Sequence, residues 1–213
     1  WGIDVSIAGS QKGMMLPPGL GFNALSEKSL AASKANTSTR SYWDWHAMIA
    51  NNKEGSFPFT PATNLLYGLK VAIAMMEEEG LENVWARHKR HGAATRAAVK
   101  AWGLDLVCQD PHAYSPALTA VMVPGAHDAD AFRKVVLDNF DMSLGAGLNK
   151  LKGKAFRIGH LGHMNDLTMI GALAGIEMSL DIAKFPHRAG GVAAAMDVLK
   201  GRDVAVMPKA AVA

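Results

Sequence analysis

The sequence is poor in cysteine, in aromatic residues and in long apolar runs. A single cysteine, Cys108, excludes a disulfide within the chain and fits a reducing compartment. The longest apolar stretch, residues 167–176, ends at Glu177 and is too short to cross a bilayer, so no membrane partner is expected. Charge of one sign is also scarce. The chain holds 22 Lys and Arg against 19 Asp and Glu, a formal net charge of +3, with no dense basic patch interleaved with aromatics. Nucleic acid is therefore not an expected partner. Lys150, Lys152 and Lys154 are the nearest approach to a basic run, and a solvated loop explains them. Internal repeats and low-complexity tracts are missing as well.

What is present suffices for a sizeable core. The chain has 213 residues, of which 49% are hydrophobic and 19% charged, matching one or two globular domains. It opens on Trp1 inside a strand-like run and without an initiator Met, so residues are expected to precede it.

Strand character marks residues 3–8 and 21–25. Ser26 is placed to cap a helix over about 27–35, and 42–51 holds a short helix. Two prolines keep 57–61 extended. A helix then runs from Pro61 to Glu79, with Leu69, Ala72, Ile73 and Met76 as its buried stripe. A longer helix carries Leu81, Val84, Trp85, His88, Thr95, Val99 and Trp102 on one face. On it His88 reads as a satisfied core histidine, and Arg87, Lys89, Arg90, Arg96 and Lys100 read as the solvated side. Gly103 stops it. Beyond it the spacing predicts strands at 104–107, 118–123 and 155–159. A helix is predicted over 128–139 with Ala131, Val135 and Val136 inward. Asn165 caps a helix burying Met169, Leu173, Ile176 and Leu180, and a last helix covers 192–199. The predicted fold class is α/β. Residues 1–79 form part of an α/β layer, 80–200 a small α+β unit, and 201–213 a tail that loosens after Met207.

Two side chains invite chemistry. Lys12 follows the first apolar strand inside Gly9-Ser10-Gln11-Lys12-Gly13, and Pro17-Pro18-Gly19 then closes a tight turn. A lysine at the end of a buried strand loses its proton more readily, and a neutral amine attacks aldehydes. The alternative at this point is a surface lysine with its charge in water. Arg157 stands between Phe156 and Ile158 in a predicted strand, and a charge there needs a partner. It is read either as half of a structural ion pair or as a guanidinium fork for a small carboxylate.

Other motifs carry less. The eight histidines show no metal spacing; His160 and His163 lack a supporting Cys or carboxylate cluster. Gly145-Ala146-Gly147 has no strand–loop–helix context for a dinucleotide. Ser115 and Ser143 have no neighbouring His to serve as base.

Taken together, several stretches resemble the C-terminal half of the serine–glyoxylate aminotransferase family, class V pyridoxal-phosphate enzymes of fold type I. They are Trp1-Gly2-Ile3-Asp4-Val5 with Gly9-Ser10-Gln11-Lys12, Leu16-Pro17-Pro18-Gly19-Leu20-Gly21, and 58–69. Further stretches are Gly80-Leu81-Glu82-Asn83, Ala101-Trp102-Gly103-Leu104, Gly147-Leu148-Asn149-Lys150 and 156–162. The resemblance runs to about residue 200. It implies that Lys12 is the Schiff-base lysine for pyridoxal 5'-phosphate, with Ser10 and Gln11 beside the cofactor and Gln11 on its phosphate. Thr60 would reach the phosphate of the neighbouring subunit's cofactor, and Arg157 would hold the substrate α-carboxylate. Phe57 stands where animal alanine–glyoxylate members carry a tyrosine. Cysteine desulfurases, which are relatives, carry His directly before the lysine, where this chain has Gln11; Cys108 is read as structural, at a strand end.

The implied activity is transfer of an amino group from L-serine to glyoxylate, giving hydroxypyruvate and glycine, in a homodimer with shared sites or a higher oligomer. Alanine or ureidoglycine as donor is the nearest alternative. A non-catalytic dimerisation or binding piece is the alternative of another class. Family chains are about twice this length. In them the acid facing the pyridine nitrogen, the residue stacked on the ring and the phosphate-binding glycine loop lie in the front half. The terminal Ala211-Val212-Ala213 is not a peroxisomal address, so a bacterial cytoplasm is expected.

Overall fold

The computed structural model describes residues 1–125 and 127–201. The expected tail lies outside them, apart from Gly201. Two compact units divide the chain, Trp1–Met75 and the part from Met76 onward.

In the first unit β1 (Val5–Gly9) pairs antiparallel with β2 (Gly21–Leu25), from Val5 opposite Leu25 to Gly9 opposite Gly21. Ser26 caps α1 (Glu27–Ala35) by accepting from the Ser29 N–H, and Asp44 caps α2 (Trp45–Lys53) by accepting from the His46 N–H. These short polar side chains each satisfy an orphan donor of the first turn. α3 (Thr63–Glu79) follows the proline-rich segment. The break at Glu79-Gly80 is where α3 ends and α4 (Leu81–Trp102) begins, and the division between the units falls earlier, within α3.

Two expectations fail here. β1 is not a buried strand: Ile3 and Ile7 are exposed at 61% and 72%. The stripe of α3 is only partly buried: Ala72 alone is fully so, Leu69 and Met76 are half-buried and Ile73 is exposed. The cause is common to both. Apolar periodicity states which face can be buried, and a two-stranded ribbon with helices supplies little to bury it against.

The second unit holds the core. Its three-stranded antiparallel sheet has the order β3 (Leu118–Met122), β5 (Ala155–Gly159), β4 (Gly145–Ala146), so β5 is central. α4, α5 (Ala129–Phe140), α6 (Asp166–Ile182) and α7 (Gly191–Lys200) cover one face. Met169, Leu173, Ile176 and Leu180 of α6 are fully buried, as their spacing predicts. Burial of each contributes about 1.5–3 kcal/mol. The α4 face buries Val84, His88, Thr95, Val99 and Trp102, whereas Leu81 and Trp85 remain exposed. Glu177 accepts from Trp102 Nε1 and from the Gly190 and Val192 N–H groups, which ties the start of α7 to α4.

Residues 104–107 do not form a strand. They make one bridge, Leu106 to Val121, because the chain leaves the sheet edge too soon to extend it. In α5 the inward residues are Ala129, Phe132 and Val136, while Ala131 is exposed. The phase is set by Phe132, which packs on Phe156 at 5.0 Å between ring centroids. Among the described residues no helix is long and apolar enough to cross a membrane.

Candidate active site

Lys12 lies in the loop joining β1 to β2, and Ser10 is what shapes that loop. Its side chain is fully buried. The hydroxyl donates to the Pro17 carbonyl at 2.7 Å and accepts from the Leu20 N–H at 3.1 Å. Its backbone N–H donates to Leu20 O and its carbonyl accepts from the Leu16 N–H. The Met15 N–H closes a turn on the Lys12 carbonyl at 3.0 Å. One serine thus crosslinks both ends of the loop, and Lys12 sits at the head of an ordered turn. The Ser10 hydroxyl is engaged on both sides, so what it offers a ligand is the position of the two residues after it.

The loop is seated on α3. Gly19 has φ +146°, and a Cβ there would stand 2.5 Å from Leu65 Cδ1. Gln11 folds back over Gly9, where a Cβ would meet its Oε1 at 2.8 Å. Both Gln11 and Lys12 are exposed. The expectation of an amine buried at a strand end is therefore corrected for this chain: no second layer covers β1 among the described residues, and water reaches the lysine.

Thr60 is exposed and lies just before α3. Beside it Phe59 packs on Tyr42 at 5.0 Å, and Tyr42 meets Trp43 edge-on at 6.3 Å. Trp43 is exposed at 82%.

Arg157 belongs to the second unit, at the middle of β5, with Ala120 opposite on β3 and Gly145 opposite on β4. Phe156, Ile158 and His160 are buried toward the helices, and Arg157 alternates to the other face. Its Nε donates to the Ala146 carbonyl at 2.7 Å. The expected alternative, a structural ion pair, is not found: among the described residues no Asp or Glu is bridged to Arg157. A neutral carbonyl occupies one nitrogen, and the Nη1/Nη2 edge is left for another acceptor.

The turn after β5 is held by groups that periodicity alone assigns to solvent. Arg87 is buried, not solvated. It donates Nε to Glu79 Oε1 at 2.6 Å and Nη2 to Oε2 at 2.8 Å, and Nη1 to the Gly162 and Met164 carbonyls at 2.8 and 3.1 Å. These bonds hold the Glu79 carboxyl below its ordinary range. His88 is satisfied, as its place on the helix suggested: Nδ1 donates to Val84 O at 2.7 Å, and Nε2 accepts from the Gly162 N–H at 3.0 Å. Adjacent residues of α4 therefore bind both backbone groups of Gly162. Arg90 and His91 both reach Asp166 at the start of α6. Burial pushes His91 down, against the opposing pull of Asp166.

His160 donates Nδ1 to Pro116 O and accepts at Nε2 from the Thr119 hydroxyl, each at 2.9 Å. Burial lowers it to about 4, partly offset by the Pro116 carbonyl. Cys108 is half-buried and lies off any strand. It lines a cavity of about 180 Å³ with Arg96 and Tyr114, in which the guanidinium stacks 4.6 Å over the ring.

The structure thus brings Ser10, Gln11 and Lys12 together in one loop, puts Thr60 in the same unit, and carries Arg157 in the other. Sequence reasoning missed the roles of Ala146, Gly145 and Arg87. A carbonyl acceptor has no residue-type signal. Arg87 gave no signal either, since its neighbours at helical spacing include Asn83, Arg90 and His91.

Residues 1–149 match the family described as Aminotransferase class-V. Over 94% of its length the chain is 46% identical to the serine–glyoxylate aminotransferase of Arabidopsis thaliana, covering 50% of that protein. Over 96% of its length it is 44% identical to the serine–glyoxylate aminotransferase of Methylorubrum extorquens, covering 52%. Among solved structures it is similar to the ureidoglycine–glyoxylate aminotransferase of Bacillus subtilis, with a TM-score of 0.82 and 30% identity over 94% of this chain and 53% of that one. The chain spans about half the length of the curated relatives it matches. That likeness agrees with the mixed α/β architecture of fold type I aminotransferases, and the chain belongs to the class-V aminotransferase family.

Proposed function

We propose that this chain is the part of a pyridoxal-phosphate aminotransferase that carries the cofactor lysine and the substrate-carboxylate arginine, and that the whole protein transfers the amino group of L-serine to glyoxylate. The observation that carries this reading is Arg157. A charged side chain in a central strand has its Nε on a neutral carbonyl and no carboxylate partner among the described residues. Such a fork suits a small α-carboxylate, which both serine and glyoxylate possess. Its cross-strand neighbours are Gly145 and Ala120, so only a methyl group crowds it from either side.

The donor set fits the cofactor. Lys12 offers an amine at the head of an ordered loop, Gln11 an amide beside it, and Thr60 an exposed hydroxyl. An aldehyde matches the first, and phosphate oxygens match the other two. When bound, pyridoxal phosphate supplies the carbonyl that takes up the amino group and the ring that draws electrons from the reacting carbon. Lys12 Nζ takes the proton from the substrate α-carbon and returns it on the far side of the transfer, as base and then acid. Arg157 holds the carboxylate, which keeps the α-carbon at one place through both half-reactions. Ser10 acts through the loop it crosslinks.

In this reading residues 1–79 complete the large cofactor-binding domain and 80–200 are the small domain. The open face of β1, with Ile3 and Ile7, is covered by the rest of the large domain, which takes Lys12 out of water. The remaining cofactor contacts, including the acid toward the pyridine nitrogen, come from outside these 213 residues. The exposed aromatics Tyr42, Trp43 and Phe59 beside Thr60 are the kind of patch that a subunit interface covers, which supports a homodimer with Thr60 serving the neighbouring site. Similarity to proteins named serine–glyoxylate aminotransferase supports serine as donor. Similarity to a ureidoglycine–glyoxylate enzyme favours the second reading, another donor with the same acceptor.

The test is borohydride reduction of the full-length protein with pyridoxal phosphate, followed by peptide mass mapping. A pyridoxyl tag on Lys12, absent in Lys12→Ala together with turnover, is the expected result. An untagged Lys12 in the wild-type protein sinks the reading and favours a non-catalytic binding or dimerisation piece. Rates with serine, alanine and ureidoglycine then rank the donors.

A further inference from the structure

Gly145-Ala146-Gly147 is glycine-rich without serving a nucleotide, and the structure gives each residue a separate task. Gly145 pairs with Arg157 across the β4–β5 ladder, so their side-chain directions share one face. A Cβ built on Gly145 would lie 3.1 Å from both Cβ and Nε of Arg157 and 3.4 Å from Cζ. The arginine side chain therefore crosses the sheet through the space that Gly145 leaves. On its other side stands Ala120, whose methyl group takes up the equivalent space. Ala146 supplies the carbonyl that engages Nε at 2.7 Å. Gly147 lies against backbone: a Cβ there would be 2.0 Å from Leu151 O and 2.9 Å from Ala155 O. That approach holds β4 close against the segment leading into β5.

We propose that Gly145 and the Ala146 carbonyl are the positioning element for Arg157, directing its guanidinium so that Nε is spent within the sheet and the Nη1/Nη2 edge is the one offered to the substrate carboxylate. The inference rests on the reading of Arg157 as carboxylate anchor. It gives Gly145 a role separate from backbone conformation. Gly145 is not among the residues with positive φ, so alanine suits its backbone and only the space beside Arg157 is lost. The arginine must then shift by a few tenths of an ångström, away from a hydrogen bond whose length leaves little slack.

The experiment is steady-state kinetics on the full-length enzyme with serine and glyoxylate, with glycolate as a competitive probe that has the carboxylate but no group to react. Gly145→Ala is expected to raise both KM values and the glycolate inhibition constant about tenfold, as for a lost hydrogen bond to a charged group, with a smaller change in kcat. Pyridoxyl labelling of Lys12 should persist. In an Arg157→Gln background the same substitution should add nothing, because there is no guanidinium left to position. Wild-type KM in Gly145→Ala, or an undiminished effect in the Arg157→Gln background, overturns the proposal while leaving the anchor role of Arg157 intact. Wild-type KM in Arg157→Gln itself overturns both. Should Gly145→Ala fail to fold, the Arg157→Lys/Gly145→Ala pair decides. Recovery of the folded protein supports a clash with the guanidinium, and continued failure overturns the proposal, because the contact that matters is then with the Cβ that lysine shares and not with the guanidinium.

Discussion

Arg87 and Glu79 lie fork to fork, Nε to Oε1 at 2.6 Å and Nη2 to Oε2 at 2.8 Å, with the arginine side chain 9% exposed. The third nitrogen of the same guanidinium holds the turn that follows β5. Arg87→Met should therefore strip both a part-buried carboxylate and two carbonyls of their partner, costing about 1–3 kcal/mol of stability. The Arg87→Met/Glu79→Leu double variant should be less destabilised than the sum of the singles, by about 1–3 kcal/mol. Chemical denaturation followed by circular dichroism reads both. Strict additivity would show that the pair is not coupled.

Arg157→Lys keeps the charge and loses the fork, together with the Nε bond to Ala146. A drop in kcat/KM worth about 2–5 kcal/mol is expected for serine and for glyoxylate alike, carried mainly by KM. A drop for one substrate only would mean that Arg157 reads something other than the carboxylate they share.

His160 links stability to pH. Its ordinary value of 6.5 falls to about 4 in the folded chain, chiefly through burial. Between those values the unfolded chain binds a proton that the folded chain refuses, so stability falls as pH drops from about 6.5 to about 4 and this contribution is then gone. The whole effect is on the order of 3 kcal/mol. His160→Gln removes the titrating group, so the thermal midpoint should change less steeply across that window than in the wild type. An unaltered slope would assign the acid loss to other groups, His91 first, since burial lowers it too.

Much of the fold was legible in short-range chemistry. Ser26 and Asn165 each cap the helix that their residue type announces. The four apolar residues of α6 are buried where the period of 3.6 puts them. The pairing of 155–159 with 118–122 follows from two β-rich runs, and the shorter run at 104–107 lacked the length to join them.

The candidate site was legible in part. Lys12 between two glycines and Arg157 inside an apolar strand stand out by residue type, because each breaks the local rule of its setting. Their partners do not stand out. Ser10 looks like any loop serine until its hydroxyl is seen bridging Pro17 and Leu20. Arg87 falls among helix cations, and only the approach of residues 162–164 turns that side of α4 into an interior.

The sequence by itself therefore determined the family, most of the elements and the two side chains proposed for the site, because caps, period and motif spacing are local properties. Only the tertiary structure decided what each charged group faces. Burial and hydrogen-bond partners arise where segments distant in sequence meet. In that way Arg157 is directed by Gly145 and Ala146 rather than paired with a carboxylate, and Lys12 stands in an ordered but open loop.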